Sequence, residues 1–201
     1  LMDGQSHKFT GVINIQDVKN PIFVAEKLLG YDDKVLGGEG AIKFAREQGF
    51  EEYSTETPER REEYEKKKAS KGTGTVGCVA LDNDGNIAAA TSTGGKGFEM
   101  VGRISDSATV AGNYANKFCG VSCTGVGEDI VGNATAAKIV TRVTDGMRLK
   151  DAFEKTFKEL KEYDGFCGAI AIDHQGNIYH QDSEPAMVFA SYDGAEYEVF
   201  K

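Results

Sequence analysis

Two short stretches of the sequence share one pattern, and this repeat limits the fold more than any other feature. Residues 80–87 read ALDNDGNI and residues 171–178 read AIDHQGNI. In each stretch a strand-forming run of small and β-branched residues precedes a polar turn that contains glycine, and a second such run follows. This order predicts two β-hairpins, one over 75–91 and one over 168–180. Antiparallel sheets are therefore expected in two separate parts of the chain.

Apolar residues at helical spacing predict helices before the first hairpin and between the two hairpins. Asn20 and Pro21 are typical of an N-cap followed by a first helical residue. The predicted helices cover 21–29, 40–48, 133–142 (beginning near 127–129) and 150–163. Strands, helices and again strands in this order favour an α+β domain with antiparallel sheets.

The segment 51–71 differs sharply from the rest of the chain. It reads EEYSTETPERREEYEKKKASK, with seven acidic and six basic residues. Such a segment has too few apolar side chains to offset the entropy lost on ordering. It is therefore expected to be a solvated helix or a linker, and it ends at the run Gly72-Thr73-Gly74-Thr75.

Composition excludes several classes of protein. The formal net charge of −9 argues against a nucleic-acid-binding protein, which needs a basic surface. No apolar run approaches the ~18–20 residues of a membrane-spanning helix. The four cysteines form no CxxC pair and only three histidines accompany them, which argues against a zinc site.

Cys78 and Cys167 lie in strand-like sequence and are expected to be buried. With no signal-peptide pattern at residues 1–9, reduced thiols favour a cytoplasmic protein.

Three clusters unite threonine or serine with glycine, and each is expected at the end of a strand. They are 74–77 (GTVG), 91–95 (TSTGG) and 122–127 (SCTGVG). Their hydroxyls and bare amides can line one cleft. Any single cluster is also what ordinary strand and turn sequence looks like, so the argument depends on all three together.

Arg103 and Asp106 form a fourth candidate site. A guanidinium suits an α-carboxylate and a carboxylate suits an α-ammonium, so the pair can bind a zwitterionic substrate. The alternative is a surface ion pair of little energetic importance.

Taken together, these motifs resemble the plant-type L-asparaginase and isoaspartyl aminopeptidase family of N-terminal-nucleophile hydrolases. The matching stretches are 74–82 (GTVGCVALD), 89–95 (AATSTGG), 102–107 (GRISDS) and 122–125 (SCTG), with 2–4, 18–22 and 38–41 upstream. The insertion 97–99 and Ser105, where glycine is common in the family, resemble a subgroup variation.

The resemblance implies a four-layer αββα sandwich, made as an inactive precursor that cleaves itself between Gly74 and Thr75. Residues 1–74, with the polar linker 51–71, would form part of one subunit and 75–201 the other, together one structural domain. Thr73 is the rival nucleophile. The expected assembly is a dimer of αβ units in the cytoplasm, with no nucleic-acid or membrane partner.

The resemblance also implies the catalytic roles. Thr75 would be the nucleophile, with its freed α-amine as base. Thr93 would hydrogen-bond to Thr75, and the Thr124 hydroxyl and Gly125 amide would form the oxyanion hole.

Substrate binding is implied in the same way. Arg103 would hold the substrate α-carboxylate, and Asp106 with the Gly127 carbonyl would hold its α-ammonium. The implied reaction is hydrolysis of the side-chain amide of L-asparagine or of a β-aspartyl peptide bond. A glycosylasparaginase-type amidase and a truncated or unprocessed non-catalytic relative remain as alternatives.

Family members also carry a further N-terminal segment of about 70 residues, with a first strand and a loop that holds a structural sodium ion. That loop would precede the residue that matches Leu1, so no metal ligand is expected within the present sequence. A missing strand predicts an unpaired sheet edge.

Overall fold

The computed structural model describes residues 1–66, 74–184 and 187–200. The strands in these ranges are β1 (Met2–Asp3), β2 (Lys8–Phe9), β3 (Gly11–Ile13), β4 (Val35–Gly37), β5 (Val76–Leu81), β6 (Ile87–Ser92), β7 (Asn113–Ala115), β8 (Cys119–Gly125), β9 (Cys167–Asp173), β10 (Ile178–Asp182), β11 (Phe189–Tyr192) and β12 (Tyr197–Phe200). The helices are α1 (Pro21–Lys27, followed by a 3₁₀ turn Leu28–Gly30), α2 (Gly38–Glu47), α3 (Pro58–Glu65), α4 (Gly127–Asn133), α5 (Thr135–Thr144) and α6 (Leu149–Lys161). The chain is thus a mixed α/β protein with several sheets.

The first predicted hairpin forms one half of the first sheet. β5 and β6 pair antiparallel, with Val76 opposite Ser92 at the open end. The Asp82 carboxylate closes the turn by accepting hydrogen bonds from the N–H groups of Asp84 (2.9 Å) and Asn86 (2.8 Å). β1 pairs with the other edge of β6 and β2 with β1, which gives the strand order β2-β1-β6-β5. The hairpin prediction is confirmed.

The second predicted hairpin uses the same turn chemistry and belongs to a different sheet. Asp173 accepts hydrogen bonds from the N–H groups of Gln175 (2.9 Å) and Asn177 (3.0 Å). β9 also pairs antiparallel with β8, and β8 with β7, in the order β10-β9-β8-β7. The repeat therefore marks one hairpin in each of two antiparallel sheets.

The two sheets pack face to face. Gly120 of β8 allows close approach, because a Cβ there would lie 2.8 Å from Cγ2 of Ile87 on β6. A small apolar cluster fills this contact and consists of Met2, Ile87, Ala89 and Ala115. Burial of these side chains away from water is the main force that holds the sheets together.

Helices α5 and α6 cover the other face of the second sheet. Alternate residues of β8 and β9 point toward them, among them Val121, Cys123 and Ala169. Ile139 of α5 and Phe153 of α6 are fully buried in the same cluster. The intervening residues of β8, including Ser122, consequently face the first sheet.

The N-terminal part adds a small parallel pair, β3 with β4, and helices α1 and α2. α1 contacts β3 and β6, and the Thr10 hydroxyl donates a hydrogen bond to the Ala25 carbonyl at 2.7 Å. α1 begins at Pro21 as predicted, although the Asn20 side chain makes no capping hydrogen bond.

The predicted single helix over 133–142, beginning near 127–129, is wrong in one respect. α4 ends and α5 begins at Ala134, whose φ of 51° and ψ of 44° lie in the left-handed region. The break frees the N–H of Ala136 to bond the Ala111 carbonyl at 2.8 Å, which ties the start of α5 to the loop before β7.

The prediction that Cys78 is buried is wrong, while Cys167 is buried as predicted. β5 forms an edge of its sheet within the described residues, and Cys78 lies on the strand face opposite Gly77. Val76 beside it is 71% exposed. Within the described residues, β2 and β5 are the two edges of the first sheet.

The polar segment 51–71 is helical in part. α3 is capped by Thr57, whose hydroxyl accepts a hydrogen bond from the Arg60 N–H at 3.3 Å. The prediction of a solvated helix is confirmed for this part, and residues 67–71 lie outside the described ranges.

Candidate active site

Thr75 lies at the open end of the β5–β6 hairpin, immediately before β5. Antiparallel pairing places the start of β5 beside the end of β6, because Val76 is opposite Ser92. The Thr75 hydroxyl lies 3.3 Å from the Thr93 hydroxyl. Thr93 also accepts a hydrogen bond from the Gly95 N–H at 3.1 Å, which fixes the position of its hydroxyl.

Thr124 and Gly125 form the last two residues of β8, in the opposing sheet. Gly77 of β5 packs directly against Ser122 of β8. Side chains alternate along a strand, so Thr75 and Thr124, each two residues away, share the facing surfaces. Gly125 has a φ of 133°, and a Cβ there would lie 2.7 Å from the Phe166 carbonyl oxygen. Only glycine fits that position without strain.

Arg103 is held by an acidic residue that follows the third cluster. Its Nε and Nη2 donate hydrogen bonds to the two carboxylate oxygens of Glu128, at 2.7 and 2.8 Å. The Arg103 side chain is 14% exposed, and Lys96 approaches the same carboxylate at 3.8 Å. The hydrogen bond from Arg103 is the main reason that the pKa of Glu128 falls to about 2.

Asp106 is buried beside Arg103. Its Oδ1 accepts a hydrogen bond from Ser105 at 2.9 Å, and the same Ser105 hydroxyl accepts one from Nη2 of Arg103 at 3.2 Å. Oδ2 of Asp106 has no hydrogen-bond partner among the described residues. Burial raises the pKa of Asp106, opposed by the Ser105 hydrogen bond. Gly127 lies next to this carboxylate, since a Cβ there would be 2.7 Å from Oδ1.

A cleft of about 650 Å³ extends from Thr93 to Arg103 and Ser105. Thr93, Gly95, Arg103 and Ser105 line one side, and residues 11–16 line the other. Thr75 adjoins the cleft through its contact with Thr93, whereas Asp106, Thr124, Gly125 and Gly127 are not among the residues that line it.

The structure thus places Thr75 beside Thr93 and Asp106 beside Gly127, with Gly74 exposed directly before Thr75. The rival nucleophile Thr73 lies outside the described residues.

Sequence reasoning missed Glu128 as the partner of Arg103. An acidic residue directly after the glycine-rich cluster, in the first turn of α4, was the available signal.

The described residues contain no group of three or more His, Cys, Asp or Glu side chains arranged to hold a metal ion. Across the same residues, none of the helices has the length and apolar character needed to cross a membrane.

Two stacked antiparallel sheets with hydroxyls gathered at one end define a mixed α/β protein with a hydroxyl-lined cleft. Comparison with known proteins adds a family. The model of the family described as "Asparaginase" matches residues 1–73 and 55–200. The chain therefore belongs to the asparaginase family.

Individual relatives agree with this assignment. The chain is 46% identical to an isoaspartyl peptidase/L-asparaginase of Synechocystis sp., over 96% of the chain and 64% of the relative. It is 41% identical to a Nostoc sp. protein of the same name, over 96% and 67%. It is 38% identical to an isoaspartyl peptidase of Escherichia coli, over 89% and 63%. The chain spans about two thirds of the length of these curated relatives.

Proposed function

We propose that the protein is an isoaspartyl peptidase and L-asparaginase that uses Thr75 as its nucleophile. The 3.3 Å contact between the Thr75 and Thr93 hydroxyls, beside a cleft that reaches Arg103, is the observation that carries the proposal. The names of the relatives support the substrate class.

The nucleophile is first released by self-cleavage. The Thr75 hydroxyl attacks the Gly74 carbonyl carbon, the C–N bond between these residues breaks, and an ester replaces the amide. Water then hydrolyses the ester and leaves the Gly74 carboxylate and the Thr75 α-amine. Gly74 suits this step because no side chain crowds the attacked carbon, and a built Cβ there would contact nothing within 4 Å.

The freed α-amine serves as the general base for its own hydroxyl. An α-amine has an ordinary pKa of about 7.7–8.0, so a useful fraction is neutral near pH 7. Thr75 attacks the substrate β-carbonyl, and the Thr124 hydroxyl and Gly125 N–H stabilise the oxyanion. Collapse expels ammonia or the amine of the second residue, and water hydrolyses the aspartyl ester to release aspartate.

Arg103, Asp106 and Gly127 form a clamp for the aspartyl head group that both substrates share. Arg103 binds the α-carboxylate, and Asp106 with the Gly127 carbonyl binds the α-ammonium. Both substrates present the same head group and differ only in the leaving amine. One clamp therefore serves asparagine and β-aspartyl dipeptides.

We further propose the family's architecture and assembly for this protein. The packing of α5 and α6 on the second sheet, and of α1 against the first, supports a four-layer αββα sandwich. Residues 1–74 and 75–201 would remain one domain after cleavage and associate as a dimer of αβ units.

Free, mostly buried cysteines support a cytoplasmic location. The hydrolysis uses only groups of this chain, and a structural sodium ion would bind in the family's N-terminal segment.

The test is release of aspartate from L-asparagine and from a β-aspartyl dipeptide by the purified protein. Thr75→Ala should abolish both activities, and Thr73→Ala should leave both unchanged. Activity that survives Thr75→Ala would refute the nucleophile. The proposed substrate class would be refuted if the wild-type protein hydrolysed neither substrate, whether or not it hydrolysed a glycosylated asparagine.

A further inference from the structure

Behind the catalytic hydroxyls lies a second row of polar side chains that the proposed mechanism does not use. The Thr91 and Ser122 hydroxyls are 2.7 Å apart, and Thr91 donates a hydrogen bond to Oδ1 of Asn113 at 3.3 Å. The three residues are 7%, 3% and 0% exposed, respectively. The row therefore lies between the two sheets, away from solvent.

Each hydroxyl of this row lies two residues before a proposed catalytic residue. Thr91 is on β6, and Thr93 directly follows the end of that strand, while Ser122 and Thr124 are both on β8. Residues two apart on a strand point to the same face. The inner row consequently links β6, which leads directly into Thr93, to β8, which ends with Thr124 and Gly125.

The nucleophile strand contacts the same row through its backbone. Gly77 lies two residues after Thr75, and a Cβ there would overlap Oγ of Ser122 and lie 3.0 Å from its Cβ. Ser122 therefore touches β5 at Gly77 while its hydroxyl meets Thr91 of β6. Ser122 thus contacts both strands of the first hairpin, and its hydroxyl also lies 3.5 Å from the Ala90 carbonyl oxygen of β6.

Polar groups in this position need an explanation. An apolar pair of the same shape would pack between the sheets without any need for hydrogen bonds, whereas one missing partner leaves a buried polar group unpaired. Nδ2 of Asn113 already lacks a partner among the described residues. Hydrogen-bond directionality fixes a spacing more strictly than apolar packing does.

We propose that Thr91, Ser122 and Asn113 are positioning residues that hold the Thr75 hydroxyl in register with Thr93 and Thr124. The inference rests on the proposed function of Thr75 and adds residues outside the reacting groups. The competing explanation is a polar core that contributes only to stability.

The variants Thr91→Val and Thr91→Ser distinguish the effect of the hydroxyl from the effect of side-chain shape. Val keeps the shape without the hydroxyl, and Ser keeps the hydroxyl. With L-asparagine as substrate, Val should lower kcat about 10- to 100-fold, because small displacements of reacting groups have effects of this size. KM should change less than about twofold, since Arg103 and Asp106 lie on a separate loop. Ser keeps the hydroxyl and should restore kcat to near the wild-type value. Ser122→Ala removes the other hydroxyl of this contact, on β8, and should lower kcat by a similar factor to Thr91→Val.

Thr156→Val is the matched control. Thr156 is fully buried in α6, and its hydroxyl donates a hydrogen bond to the Ala152 carbonyl at 2.7 Å. Its loss should lower Tm and leave kcat unchanged. If Thr91→Val and Ser122→Ala lower Tm in the same way and also leave kcat unchanged, the positioning role is refuted.

A structural readout keeps this inference separate from the proposed function. Crystal structures of the wild-type protein and Thr91→Val measure the separation of the Thr75 and Thr93 hydroxyls, here 3.3 Å. An increase of about 0.5 Å or more supports the positioning role even if the wild-type protein hydrolyses neither substrate. An unchanged separation overturns it whatever the activity.

Discussion

Arg103 and Glu128 form a two-point ion pair, with Nε and Nη2 each donating to a different carboxylate oxygen. Two edges of the guanidinium are thereby engaged before any substrate arrives, since Nη2 also reaches Ser105. The substrate α-carboxylate would therefore meet a guanidinium that is already paired with a carboxylate.

Glu128→Gln should therefore lower KM for L-asparagine about two- to fivefold, because it keeps a hydrogen-bond acceptor and removes a charge that repels the substrate carboxylate. Steady-state kinetics of Glu128→Gln measures this change in KM, and Glu154→Gln, which removes the same charge far from Arg103, is the control. Glu154 carries a similar exposed ion pair, with Lys150 at 3.7 Å in α6. A rise in KM for Glu128→Gln would show that the charge of Glu128 serves to hold Arg103.

Asp106→Asn should raise the free energy of unfolding at neutral pH by about 1–3 kcal/mol while it abolishes substrate binding. The buried carboxylate has an unpartnered oxygen and a pKa raised by burial. A raised pKa in the folded state favours the protonated form. The stability difference should therefore be smallest near pH 3, where Asp106 is protonated, and grow as the pH rises through its folded-state pKa.

The control for this prediction is Asp173→Asn. Asp173 is also 5% exposed, but both of its oxygens accept hydrogen bonds in the β9–β10 turn. Its substitution should destabilise the protein. Chemical denaturation of both variants across pH 3–8 distinguishes the two aspartates, and equal destabilisation by both substitutions would contradict the account of Asp106.

Thr124→Val should lower kcat about 100- to 1000-fold with little change in KM, because an oxyanion-hole donor acts mainly in the transition state. Thr124→Ser keeps the hydroxyl and should retain most of the activity. Equal loss in both variants would contradict this account, because Thr124→Ser retains the hydroxyl and lacks only the methyl group that lies near Gly168.

Ala134→Gly should stabilise the protein by about 1 kcal/mol, because the left-handed backbone at this position is costly for alanine. Ala136→Gly, two residues later in α5 and fully buried, should destabilise it. Thermal unfolding of the two variants makes the comparison, and a lower Tm for Ala134→Gly would contradict the backbone argument.

The sequence predicts the sheets better than it predicts the site. Each hairpin is a local pattern, and the aspartates at positions 82 and 173 close their turns with their own side chains. The break at Ala134 depends instead on a distant contact, the hydrogen bond of Ala136 to the Ala111 carbonyl. Cys78 is exposed because it lies on the face of β5 that points away from the second sheet, and no local pattern indicates which face that is.

For the site, motifs predict which residues meet but not how they are paired. The Thr75–Thr93 contact agrees with the register of a hairpin that the sequence predicts. The engagement of Arg103 by Glu128 and the burial of Asp106 depend on how a loop folds against the start of α4. The Thr91–Ser122 contact joins two sheets, and no local spacing indicates it.

Intact mass and N-terminal sequencing of the purified protein after incubation at neutral pH test the central claim most directly. The account predicts two fragments, and the longer, C-terminal one should begin Thr75-Val76-Gly77. Thr75→Ala should remain one intact chain under the same conditions. A wild-type chain that stays uncut for days, or a cut before a residue other than Thr75, would contradict the assignment of Thr75 as the nucleophile.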